Sequence, residues 1–140
     1  MSNEAILVWE TEPPIPFTCA VGTGIEKGAL LAGADLMTAS TSAAADGALA
    51  GIAAQEKIAN DGKLKIAVYR RGIFKMILSG TCVYGNPLVA ADTTTFPNHV
   101  KVAAVTSSGA QILGHALEAG GTSETILVDV NIGAGGFHLS

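Results

Sequence analysis

The amino-acid sequence predicts an all-β protein. It should form a small barrel or sandwich of short strands, with an internal pseudo-repeat and an extended N-terminal arm. The first of three supporting observations is a loose internal echo. Residues 48–68 (ALAGIAAQEKIANDGKLKIAV) and 111–130 (QILGHALEAGGTSETILVDV) follow one order. Each has an apolar run, a glycine (Gly51, Gly114), small residues ending near a Glu, a polar turn and an alternating strand. The second is that similar short pieces precede them, KGALLAG at 27–33 and GNPLVAA at 85–91. The third is that short apolar runs alternate with Gly, Asn, Asp and Ser clusters along the whole chain, the pattern of many short strands.

Residues 1–16 are expected to be an arm and its connector. Ala5-Ile6-Leu7-Val8-Trp9 is a short apolar strand with the only Trp of the chain. Pro13, Pro14 and Pro16 flank Ile15, donate no ladder hydrogen bonds and hold the chain extended. Such a strand either packs back on its own core or adds to the edge of a neighbour's sheet.

The body is expected to span 17–132. Phe17–Val21 reads as a strand, Gly22-Thr23-Gly24 as a turn and Gly28–Gly33 as a short buried strand, continued after a break by Leu36–Met37. Thr38–Gly47 reads as a loop. Ala48–Ala54 has Ala-rich helix propensity, but Gly47 and Gly51 each oppose a helix by about 1 kcal/mol, so a strand is favoured. Asn60-Asp61-Gly62 turns the chain into Lys63–Tyr69, where Leu64, Ile66 and Val68 alternate with less apolar residues. Further strands are expected at Ile73–Leu78, Thr81–Tyr84 and Leu88–Ala90, then a loop at 91–98. Val100–Val105 and Ala110–Leu117 read as a hairpin around Thr106–Gly109. Ile126–Ile132 is the last strand, and 133–140 is a Gly-rich tail.

Composition bounds the function. At 140 residues the chain suits one domain with its own core. Apolar residues make up 49% but aromatics only 5%, so the core rests on Val, Ile, Leu and Ala. Charged residues are 14%, and the formal net charge is −4. That balance argues against nucleic acid, which needs a basic patch; Arg70–Arg71 is a lone pair. Sparse charge and positive mean hydropathy suit a protein that hides surface in an assembly. Cys19 and Cys82 lack metal-site or redox spacing and read as buried free thiols. The N-terminal stretch has no basic region ahead of its short apolar run, so no signal peptide is expected. No apolar run approaches the roughly 18 residues of a membrane span, so no membrane partner is expected either.

No catalytic constellation accompanies the strands. His99, His115 and His138 stand apart from Cys or acids at metal-ligand spacing. His115 reads as a core or interface imidazole. Ser40, Ser42, Ser107 and Ser108 sit in polar stretches without a nucleophile elbow. Gly22-Thr23-Gly24 lacks the third glycine and following helix of a dinucleotide loop. The acids are scattered, without paired-carboxylate spacing. An enzyme is not expected, nor a metal or cofactor.

Four stretches in order carry a resemblance. They are PIPFTCAVGTGIEKGALL, DGALAGIAAQEKIANDGKLKIAVYRRGIFKM, YGNPLVAAD and ILGHALEAGGTSETILVDVNI. Together they are similar to the capsid cement, or head-decoration, family of tailed bacteriophages and related viruses. Lys27–Leu31, Ala50–Phe74, Gly85–Val89 and Leu113–Ile132 occupy the family's glycine-strand units in order. The resemblance spans residues 15–132. Phe96-Pro97-Asn98-His99, the tail and segment 1–14 lie outside the pattern. It implies a β-rich fold without a cofactor, made in the host cytoplasm and carried on the outer capsid surface. It also implies a homotrimer at three-fold or quasi-three-fold positions that bridges major capsid protein subunits of the expanded head. On that basis the capsid-binding arm is expected to be Ile6, Val8 and Trp9, with Pro13, Pro14, Ile15 and Pro16 holding it off the body. Trp9 is the expected anchor, because Trp is enriched at interface hot spots. The alternative is a β-barrel adhesive or carbohydrate-binding module of a virion surface fibre. It would want aromatic platforms, for which Trp9, Tyr69 and Tyr84 are the main candidates.

Overall fold

The computed structural model of the chain describes residues 4–41, 48–91, 98–103 and 112–132. The expected tail at 133–140, the turn at 106–109 and His138 lie outside the described residues. Eleven strands and no helix occur among those described: β1 (Ile6–Trp9), β2 (Ile15–Thr18), β3 (Leu30–Ala34), β4 (Thr38–Ser40), β5 (Leu49–Ala53), β6 (Lys65–Tyr69), β7 (Arg71–Leu78), β8 (Pro87–Ala90), β9 (His99–Val102), β10 (Gly114–Ala116) and β11 (Thr125–Asn131).

Ten of these strands make two closed five-stranded barrels, one after the other, and β1 pairs alongside β7. The first is closed in the order β2-β4-β3-β5-β6. The second runs β7-β11-β10-β8-β9 and is closed by a parallel β7–β9 pairing. The first closes the same way, through a parallel β2–β4 contact at Thr18 and Thr38. Closure removes the sheet edges that short apolar strands would otherwise expose.

The barrels are copies of one another in register. Leu31 faces Gly51 in the first barrel, and Leu88 faces Gly114 in the second. Phe17 pairs with Ile66 and Phe74 with Val128. The bridge Ile25–Lys57 is matched by Cys82–Gly120. The echo in the sequence is therefore a duplicated barrel, and each copy also includes a first strand, β2 or β7, that the echo did not reveal.

Alternation places every second side chain inside each barrel. Phe17, Leu31, Ile66 and Val68 fill the first, and Phe74, Leu88, Val128 and Val130 fill the second. Leu30, Leu49 and Ile52 point out of the first barrel and join the core of the second. β5 is therefore buried along its whole length. Asn98 adds a buried inter-barrel bond, its Oδ1 accepting from the Leu30 N–H at 3.0 Å. The expected single body at 17–132 is thus two barrels sharing one apolar contact.

Several local expectations change. Leu36–Met37 is a turn between β3 and β4, and Thr38–Ser40 is a strand where a loop was expected. β10 pairs with β8 and β11, so it is not the hairpin partner of β9. His115 sits on β10 with its side chain exposed, outside the core. Leu64 is exposed, and β6 starts one residue later. Cys19 and Cys82 are buried free thiols, and burial raises the pKa of each.

The far ends of the barrels are plugged differently. In the first, the Lys57 side chain turns inward, and its Nζ donates to the Val21 and Thr23 carbonyls at 2.9 and 3.1 Å. It also lies 3.4 Å from an Asp61 carboxylate oxygen. In the second, Gly120 stands at the matching position, and Ile126 and Leu78 occupy the space a side chain would take.

Candidate functional site

The candidate site is built on β1. Its apolar, β-prone sequence forms a strand, and that strand pairs antiparallel with β7 of its own chain. Ile6 faces Lys75 and Leu7 faces Phe74; a bulge follows before Trp9 meets Ile73. The entry to β1 is pinned to the first barrel. The Ala5 N–H donates to the Gly28 carbonyl at 2.9 Å, and a Cβ on Gly28 would stand 2.5 Å from the Ala5 oxygen. So β1 straps the first barrel to the second.

The exit from β1 is held by polar contacts with the inter-barrel linker. The Tyr69 hydroxyl donates to Glu10 Oε1 at 2.8 Å. Burial, and then this carboxylate, push the Tyr69 pKa upward. Arg71 Nε lies 3.4 Å from Glu12 Oε2, with both side chains largely solvated, so this pair adds little. Behind them, Arg70 Nη1 donates to the Ala50 carbonyl, and its guanidinium lies 5.8 Å from the Phe17 ring centroid.

The expected arm residues therefore separate. Ile6, Val8 and Trp9 lie together on β1, all exposed, with Trp9 at 70%. β1 forms one margin of the sheet, and its far edge pairs with no strand among the described residues. Pro13 and Pro14 form the connector between β1 and β2. Ile15 and Pro16 belong to β2, opposite Val68 and Ala67 in the first barrel wall. The arm is a strand laid on its own body rather than a free tether, and what it offers outward is an apolar edge. Tyr69, expected only as a candidate aromatic platform, and Arg71, expected only as part of a lone basic pair, instead hold the exit of β1 through Glu10 and Glu12, contacts that local pattern does not encode.

Two clefts flank this region. One, of about 740 Å³, lies under β1 and is lined by Ile6, Leu7, Lys27, Tyr69, Lys75 and Thr125 among others. The other, of about 530 Å³, opens at the mouth of the first barrel among Ile15, Phe17, Met37, Leu49 and Arg70. Among the described residues no cluster of three or more His, Cys, Asp or Glu could hold a metal ion. Among the described residues that line these clefts, no nucleophile is set beside a base.

No protein-family model matches the chain, and no curated protein does. The fold is similar to that of a solved structure described as the head fiber gp8.5 N base in bacteriophage phi29. The two share a TM-score of 0.53 and 16% identity over 84% of this chain and 93% of that one. The likeness extends over most of both chains and is one of fold.

Proposed function

We propose that the chain is a non-catalytic structural module of a bacteriophage virion, seated on the outer surface of the head as the base of a fibre. The observation that carries this is the shared fold with a head-fiber base, which extends over nearly all of that chain. The resemblance of its sequence motifs to the capsid cement family implies the same location. The exposed β1 edge supplies the docking element. Ile6, Val8 and Trp9 would add to an exposed strand of the major capsid protein, with main-chain bonds giving affinity and Trp9 filling a pocket. Trimeric assembly on three-fold positions would multiply modest contacts into stable attachment.

A second reading is cement, in which the same surface bridges capsid subunits and stabilises the expanded shell by binding it selectively. The four stretches that resemble the cement family favour it. One experiment separates the two. Expanded, decoration-free heads of the parent phage are incubated with the protein, sedimented and then heated. Saturable binding without a change in head melting supports a fibre base. Binding that raises the melting temperature supports cement. An absence of binding removes both.

A further inference from the structure

The two barrels match residue by residue, so the contact that joins them can be compared with the equivalent surfaces left open. Inside the chain, the end of barrel two just before β9 docks on the side of barrel one, where Asn98 Oδ1 receives the Leu30 N–H. Gly33 pairs with Ala39 as Ala90 pairs with Val100, which makes Met37 the counterpart of Asn98. Leu30 faces Ile52 as Pro87 faces His115, which makes Pro87 the counterpart of Leu30. Both members of the polar pair are thus replaced. Pro87 has no N–H to donate, and the Met37 side chain has no oxygen to accept it. The replacement is concerted, as expected if these two surfaces meet through apolar contact instead.

Both surfaces are open and carry exposed apolar groups. On barrel one, Leu36 is 92% exposed and Met37 50%. They stand at φ 62° and 52°, the left-handed pair that a type I′ turn requires and that Asn–Gly normally fills. Two large apolar residues held outward in this conformation are disfavoured twice over, by strain and by exposure. Such strain persists where a function uses it. On barrel two, Val83 is 61% exposed and Tyr84 72%. Their neighbour Gly85 has nothing within 4 Å of where a Cβ would stand, whereas its counterpart Gly28 is covered by Ala5.

We propose that the protein associates with itself head to tail. The β3–β4 turn of one copy, Leu36 and Met37, seats on the Val83–Pro87 face of barrel two of the next, repeating between molecules the contact that joins the barrels within one. A contact of this kind is heterologous, so each copy keeps one free face of each type until a ring closes. It does not depend on the phage-head reading, since it follows from the duplication alone.

Sedimentation velocity of the full chain from about 1 μM to about 1 mM, the range of ordinary protein contacts, tests it. The wild type should assemble with rising concentration. Leu36→Asp, which also suits the left-handed backbone, and Tyr84→Asp should each melt like the wild type yet remain monomeric, with association weakened about a hundredfold or more. Met37→Asn and Val83→Lys provide a second pair if either variant folds poorly. An equimolar mixture of Leu36→Asp and Tyr84→Asp should form a heterodimer and nothing larger, because each keeps the face the other lost. A wild type that stays monomeric throughout overturns the proposal. So do variants that assemble like the wild type, or a mixture that stays monomeric.

Discussion

Replacing Gly114 by alanine should be among the most damaging single-methyl changes in this protein. Gly114 lies in β10, between β8 and β11, and a Cβ there would overlap the Asp129 carbonyl oxygen. It would also stand 2.9 Å from both the Asp129 carbonyl carbon and the Val130 Cα. Carbon atoms prefer about 3.5–4.0 Å, so the strands must separate by roughly 0.5–1 Å. All these atoms are backbone, so no side chain can swing aside. Overpacking of this kind costs about 1–3 kcal/mol. Stretching the β10–β11 ladder forfeits one or two bonds worth about 0.5–1.5 kcal/mol each. Together they remove about 1.5–6 kcal/mol from a domain whose total stability is on the order of 5–15 kcal/mol. Gly62 supplies the control. It has φ 83° but nothing within 4 Å, so Gly62→Ala incurs only left-handed backbone strain of about 1–2 kcal/mol. Urea unfolding followed by circular dichroism measures both, and the shared core of the barrels supports a single transition. Equal losses for the two variants, or a Gly114→Ala loss under about 0.5 kcal/mol, would refute the close-approach argument. Gly51, the matching position in the first barrel, overlaps the Tyr69 carbonyl oxygen and stands at φ 150°, so Gly51→Ala should behave like Gly114→Ala.

Lys57→Met keeps the apolar stem but removes the donor to the Val21 and Thr23 carbonyls; Val21 keeps the Asn60 N–H and Thr23 is left without its Lys57 partner, so a loss of about 1–3 kcal/mol is expected by the same unfolding assay. Burial lowers the pKa of His99 below its ordinary 6.5. The unfolded chain therefore binds this proton first, and stability should be full above pH 6.5 and fall as pH drops through and below it; His99→Gln should flatten that part of the profile. Cys19 and Cys82, both buried with raised pKa, should react with a disulfide reagent roughly tenfold or more slowly in the native protein than in denaturant; equal rates would contradict their burial. Trp9→Ala should leave the melting temperature nearly unchanged, since Trp9 is exposed, while reducing sedimentation with phage heads at least about tenfold; unchanged co-sedimentation would remove Trp9 as the anchor.

Much of the fold is legible along the chain because strand character is local. Period-two alternation at Ile66 and Val68, or at Ile126, Val128 and Val130, states which face is buried. Gly51 and Gly114 recur because only a residue without a side chain fits where β5 approaches β6 and β10 approaches β11. These features are enough to expect an all-β duplicated body. The arm residues Ile6, Val8 and Trp9 are legible for the same reason, as a short apolar strand set off by Pro13 and Pro14. Ile15 and Pro16 were assigned to the connector because prolines signal extended chain without saying whether a sheet wall runs through them.

What sequence could not supply is partnership. Alternation says inward or outward but not which strand lies alongside, and the pairings that close each barrel, β2 with β4 and β7 with β9, are parallel contacts between segments far apart in the chain. β4 is only three residues long, too short for any periodic signal. β10 was matched with its neighbour in sequence, but the geometry of a closed barrel sets it between β8 and β11. The same holds for the site. The sequence by itself determined that an apolar strand leads the chain. Only the tertiary structure decided that it lies on β7, because β7 keeps half an edge open where β9 does not reach, and burying that edge against β1 satisfies hydrogen bonds that water would otherwise have to supply.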